Sequence, residues 1–136
     1  MRTVNLFIVL GLAFGLNTSC SAQPGKDTGS PVVSADQEVE VFYFHYTRRC
    51  VTCQAVETVS GEAVAELYGE RVPFKGYNMD ESDGKQKAEE LGVSGQTLLI
   101  VSGDKKINIT NEGFMYARSN PDKLKQVISD KVTPLL

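Results

Sequence analysis

Cysteine is scarce in this sequence: 136 residues contain three, and a single histidine accompanies them. So few thiols exclude a structural disulfide framework, and a four-cysteine zinc site cannot be assembled from one chain. Positive charge is short as well. The 14 Lys and Arg stand against 17 Asp and Glu, a net charge of −3 that becomes about −4 once Arg2 leaves with a leader. No basic field exists to attract nucleic acid. The apolar run at residues 6–16 is too short to span a bilayer. No phosphate loop, dinucleotide fingerprint or flavin motif appears, so chemistry that needs a flavin or nicotinamide would require another protein to hold it.

What is there begins with export. The 6–16 run follows the weakly positive start Met1-Arg2-Thr3-Val4-Asn5 and has the length of a signal-peptide core. Leu16-Asn17-Thr18-Ser19-Cys20 resembles a bacterial lipoprotein cleavage box, with Asn17 where an aliphatic residue is usual. Cys20-Ser21-Ala22 also reads as an ordinary cleavage site before Gln23. The expected organisation is a lipoprotein signal peptide over 1–19, a flexible tether over 20–36 opening at lipidated Cys20, and one globular domain over 37–136. Both cleavage readings place the domain outside the cytoplasm. Under the first, the lipid on Cys20 is its only contact with the membrane, on the periplasmic or cell-surface side. Cys20 is then consumed or cut away, which leaves Cys50 and Cys53 with no partner but each other.

The domain opens with a β-rich, mostly apolar run at 39–44, of the kind buried on both faces of a sheet. Residues 50–68 carry an apolar stripe at Cys53, Val56, Ala63, Val64 and Leu67, and Gly69 follows as a C-terminal cap, which predicts a helix. Gly61 inside it implies a bend or a tight contact. A short strand over 72–78, a helix over 85–91 closed by Gly92, and a strongly β segment at 97–101 come next. Gly103-Asp104 turns that segment into an antiparallel strand over 105–110, where Ile107 and Ile109 alternate with polar neighbours. Asn120-Pro121-Asp122 starts a last helix whose buried stripe is Leu124, Val127, Ile128 and Val132. The predicted order is βαβαββα.

Cys50-Val51-Thr52-Cys53 falls at the junction of the first strand and first helix. Thiols three residues apart at a helix start share one face, close enough for a disulfide or a shared metal ion. Free N–H groups, the helix dipole, and Arg48 and Arg49 just upstream all favour thiolate at Cys50, which makes it the expected attacking thiol. Cys53, one turn inward on the apolar face, is the expected resolving thiol. The two arginines also fit a clamp for an anionic substrate. His45 closes the preceding strand. It is placed to act as a base, or to complete a soft site with Cys50 and Cys53 for Cu(I), Zn²⁺ or trivalent arsenic. Without metal, the redox-active dithiol itself needs no cofactor.

A CxxC at such a junction in a small exported domain resembles the thioredoxin superfamily. The stretch 89–101, Glu-Glu-Leu-Gly-Val-Ser-Gly-Gln-Thr-Leu-Leu-Ile-Val, is similar to the run from that family's middle helix into its third core strand. Residues 44–57 and 94–104 are also similar to the bacterial lipoproteins named nitrophenyl compound nitroreductase subunit ArsF. The resemblance implies a thioredoxin-like three-layer α/β/α sandwich over 37–136 and a redox dithiol at Cys50 and Cys53. Its partners would be a protein disulfide or a thiol-reactive small molecule, with a redox partner protein, and its setting a nitroreductase system. The resemblance also implies that Gln96 and Thr97 face the thiols. Gln96 stands where most thioredoxins have a cis-proline. A cis bond before a non-proline residue costs about 2.5–4 kcal/mol, so a trans peptide and a reshaped loop are expected there. Two rival readings remain: a soft metal or metalloid carrier, and an accessory subunit without turnover of its own.

Overall fold

The computed structural model describes residues 38–136. The signal segment at 1–19, the lipidation site Cys20 and the tether at 20–36 lie outside the described residues. At the centre stands β1 (Val39–His45), in which every residue but Glu40 is buried. Such a strand must pair along both edges, because its backbone polar groups have no water to turn to. It does so with β2 (Phe74–Asn78) in parallel and with β3 (Thr97–Ser102) antiparallel. β4 (Lys105–Asn108) adds antiparallel to β3, giving the order β2-β1-β3-β4.

A parallel pair needs a crossover, and α1 (Val51–Tyr68) provides it. Its buried residues Cys53, Val56, Ser60, Ala63 and Val64 form one stripe against the sheet. Gly61 makes the expected tight contact: a Cβ there would stand 3.2 Å from Phe74 Cδ1. Alternation along β1 divides the core in two. Val41 and Tyr43 face Val56 and Val64, together with Leu124 and Ile128 from a helix near the C-terminus. Phe42 and Phe44 face Met79, Ala88 and Leu99 beneath α2 (Ser82–Leu91). Helices α3 (Thr110–Tyr116) and α4 (Pro121–Val132) complete the α1 layer. The result is an α/β/α sandwich around a mixed four-stranded sheet, the layering expected from the sequence.

Two elements differ from the sequence reading. α2 begins at Ser82 rather than 85, and Gly84 in its first turn lies against the backbone of Asn78 where no side chain fits. The last strand stops at Asn108, and an additional helix, α3, turns the order into βαβαββαα. Asn108 Oδ1 accepts from both the N–H and the hydroxyl of Thr110, at 3.0 and 2.6 Å, and this turn redirects the chain. Ile109 is therefore buried at a helix start rather than alternating along a strand. Gly113 inside α3 lets that helix approach Leu98 and Val56, each 3.2 Å from where a Cβ would stand.

Candidate active site

β3 runs antiparallel to β1, so it begins where β1 ends: Phe44 pairs with Thr97. The loop leaving β1 and the residue entering β3 thus open on one rim of the sheet. That loop is fixed to the neighbouring β2–α2 turn. Thr47 N–H donates to Asp80 Oδ2 at 2.8 Å, Asn78 Nδ2 donates to Thr47 Oγ1 at 2.9 Å, and Met79 N–H donates to the His45 carbonyl at 2.7 Å. The bonds from Thr47 hold the Asp80 carboxyl below the usual carboxylate range.

Cys50 is the N-cap of α1, in extended conformation, and its Sγ accepts from Cys53 N–H at 3.2 Å. The thiol fills the place a Ser or Asp oxygen takes at other helix starts, meeting a donor the helix leaves unpaired. Cys50 is exposed, whereas Cys53 is 4% exposed, and their sulfurs are 2.6 Å apart. The Cys50 thiol is held below its ordinary value, first by the hydrogen bond from the Cys53 side chain, then by the Cys53 N–H, with Thr52 N–H contributing less. Cys53 is pushed the other way, first by burial and then by its bond with Cys50. The pair is therefore polarised, the outer sulfur shifted toward thiolate and the inner one toward thiol. A thiolate is the nucleophile of sulfur chemistry, so this arrangement suits attack by Cys50 and resolution by Cys53.

Gln96 joins the pair directly: its Oε1 lies 3.1 Å from Cys53 Sγ, a second acceptor for the one S–H that Cys50 Sγ also faces. The described residues contain no cis peptide, so the bond before Gln96 is trans as expected. Thr97 is less involved, since its hydroxyl donates to the Gly95 carbonyl at 2.9 Å.

The basic residues behave differently from the sequence reading. Arg49 donates to Glu57 Oε2 through Nη1, so its charge is directed along α1, and neither arginine is among the leading causes of the Cys50 shift. Arg48 is exposed. The soft-metal site built from His45, Cys50 and Cys53 is not assembled. His45 Nδ1 lies 3.1 Å from the Tyr46 carbonyl and Nε2 lies 3.8 Å from Glu57 Oε1. Among the described residues, no three His, Cys, Asp or Glu side chains converge on a metal-sized space. The reason lies in the helix: Glu57 stands one turn beyond Cys53 on the same face and draws both Arg49 and His45 to itself.

Two participants were not found from sequence. Glu57, an acid in a helix, carries no sequence signal for its pairing with Arg49 and its approach to His45. Tyr43 read as core, and it is fully buried, but its hydroxyl has no hydrogen-bond partner among the described residues. Burial first, and then the neighbouring Cys53 and Glu57, push that hydroxyl well above its ordinary value, so it stays protonated. The alternation of β1 points Tyr43 toward α1; nothing in the sequence signals an orphaned hydroxyl there.

No protein-family model matches this chain, and none of the curated proteins does. Among solved structures it is similar to thioredoxin O2 from Arabidopsis thaliana in the oxidised state, at 22% identity over 70% of this chain and 76% of that one, with a TM-score of 0.48. It is also similar to the germline-specific thioredoxin Deadhead from Drosophila melanogaster, at 17% identity over 71% of this chain and 83% of that one, with a TM-score of 0.47.

Proposed function

We propose that this chain is a thiol–disulfide exchange protein. The Cys50 thiolate attacks a disulfide R–S–S–R′, forming Cys50–S–S–R and releasing R′–S⁻. Cys53 then attacks the Cys50 sulfur, leaving the Cys50–Cys53 disulfide and the reduced R thiol; two electrons pass from the protein to the substrate. The observation that carries the reading is the geometry of the pair: an exposed sulfur capping α1, its thiol held below its ordinary value, with a buried sulfur 2.6 Å behind it. Reduction of insulin disulfides with dithiothreitol as donor tests it. The chain should accelerate insulin precipitation and the Cys50→Ser variant should not; equal behaviour of the two ends the proposal.

The proposal includes a place of work. Lipid on Cys20 would hold the domain on the exported side of a membrane, and a partner protein carrying a flavin or nicotinamide would exchange electrons with the pair within a nitroreductase system. The support is sequence alone: the run at 6–16, the box ending at Cys20, and the similarity of 44–57 and 94–104 to the lipoprotein family named above. Intact-mass measurement on membrane extracts separates the outcomes, since acyl chains on Cys20 support the tether and a mature chain starting at Gln23 removes it.

A further inference from the structure

The side chain at 96 is an amide at a position where neither a carboxylate nor an apolar group would serve the buried sulfur equally well. Cys53 must exist in two forms during turnover, as a thiol while Cys50 is the nucleophile and as a nucleophile itself once the mixed disulfide forms. A buried thiol needs an acceptor for its S–H, and a buried thiolate needs a donor. A carboxylate accepts but repels the anion, and an apolar side chain does neither. A glutamine amide carries both functions at the end of one torsion, so a half-turn replaces the oxygen with N–H₂ at nearly the same place.

We propose that Gln96 is a positioning residue for the resolving step: its carbonyl takes the Cys53 S–H once Cys50 is tied up in the mixed disulfide and no longer accepts it, and its amide nitrogen meets the sulfur as that proton leaves. The inference rests on the dithiol reading above. Its geometric basis is the 3.1 Å contact from Cys53 Sγ to Gln96 Oε1, made by a half-buried side chain one residue before β3, whose first residue, Thr97, pairs with Phe44 near the end of β1. The step balances as Cys50–S–S–R plus Cys53–SH giving Cys50–S–S–Cys53 plus R–SH. The proton lost by Cys53 ends on the departing thiol, and no outside acceptor is needed. An N–H bond to an anionic sulfur is stronger than an S–H bond to a neutral carbonyl, so the net effect of Gln96 is to ease ionisation of Cys53 against the burial that opposes it. The direction of its influence on that thiol is the same.

Reaction of the reduced full chain with a large excess of the aromatic disulfide dithionitrobenzoate, followed by stopped flow, separates the two sulfurs. The first equivalent of thionitrobenzoate reports attack by Cys50 and the second reports resolution by Cys53. Gln96→Leu should lower the ratio of second-phase to first-phase rate about tenfold and move the pH midpoint of the second phase upward. Gln96→Glu, nearly the same shape, should move that midpoint further up, because its carboxylate opposes the sulfur anion. Acidification that protonates the introduced carboxylate should restore part of the ratio, since a carboxylic acid again donates and accepts. Circular dichroism confirms that both variants fold, and the isosteric Gln96→Glu variant keeps the test valid should Gln96→Leu disturb the loop. An unchanged ratio and midpoint in Gln96→Glu overturn the role of Gln96 while leaving the dithiol reading intact. Absence of a fast first phase in the unmodified chain overturns the dithiol reading itself.

Discussion

Gly84 lies against the backbone carbonyl of Asn78, so close that a Cβ at 84 would overlap the oxygen. Asn78 ends β2, and its side chain holds Thr47 in the loop that delivers Cys50. A bare α-carbon in the first turn of α2 therefore sets the height of the turn on which the reactive loop rests.

Replacing Gly84 by Ala should cost about 2–3 kcal/mol, because the obstacle is main chain and cannot swing aside. Gly76→Ala provides the contrast. A Cβ at 76 would stand 2.5 Å from Glu57 Oε1, the free end of a flexible side chain, and should cost under about 1 kcal/mol while displacing the carboxylate. Urea denaturation followed by circular dichroism checks the order; a Gly76 variant as unstable as the Gly84 variant would contradict it.

Cys50 should react with iodoacetamide at a pH midpoint below the ordinary thiol value of about 8.5, while Cys53 resists alkylation in the native state. Cys53→Ala removes the first cause of the shift and should raise the Cys50 midpoint toward that value. Arg49→Ala should move it less than Cys53→Ala does, since that guanidinium is engaged by Glu57. A larger response to Arg49 than to Cys53 would reverse the assignment of causes.

The bond from Thr47 N–H to Asp80 gives the loop a pH dependence of known sign. The Asp80 carboxyl is depressed in the folded chain, so its contribution is fully present above the ordinary carboxylate value and is lost as pH falls through the lower folded value. Asp80→Asn should leave an acceptor for Thr47 N–H yet remove this acid-side dependence. Amide exchange at Thr47 measured across the acid range tests it: the unmodified chain should lose protection on acidification and the Asp80→Asn variant should not.

The thiol pair was legible because its geometry is local: CxxC at a strand–helix junction fixes which sulfur is outer and which is inner. β1 was legible because a strand buried on both faces has few compatible positions in a sheet. Gly84 and Gly113, glycines inside helices, record close approaches by another element that sequence alone does not show. Arg49 misled for a related reason. Its partner is set by how α1 lies over β1, so a cation beside Cys50 in sequence is turned toward Glu57 in space. His45 followed it, and the soft-metal reading lost its third ligand.

The most direct measurement is a redox titration of the full chain in glutathione buffers, with thiols counted by alkylation and intact mass. The account predicts loss of two hydrogens in one intramolecular step, following a two-electron curve of about 30 mV per tenfold change in the equilibrium ratio, and none of this in Cys50→Ser. Two thiols that stay reduced, or oxidise only by joining separate chains, would contradict it.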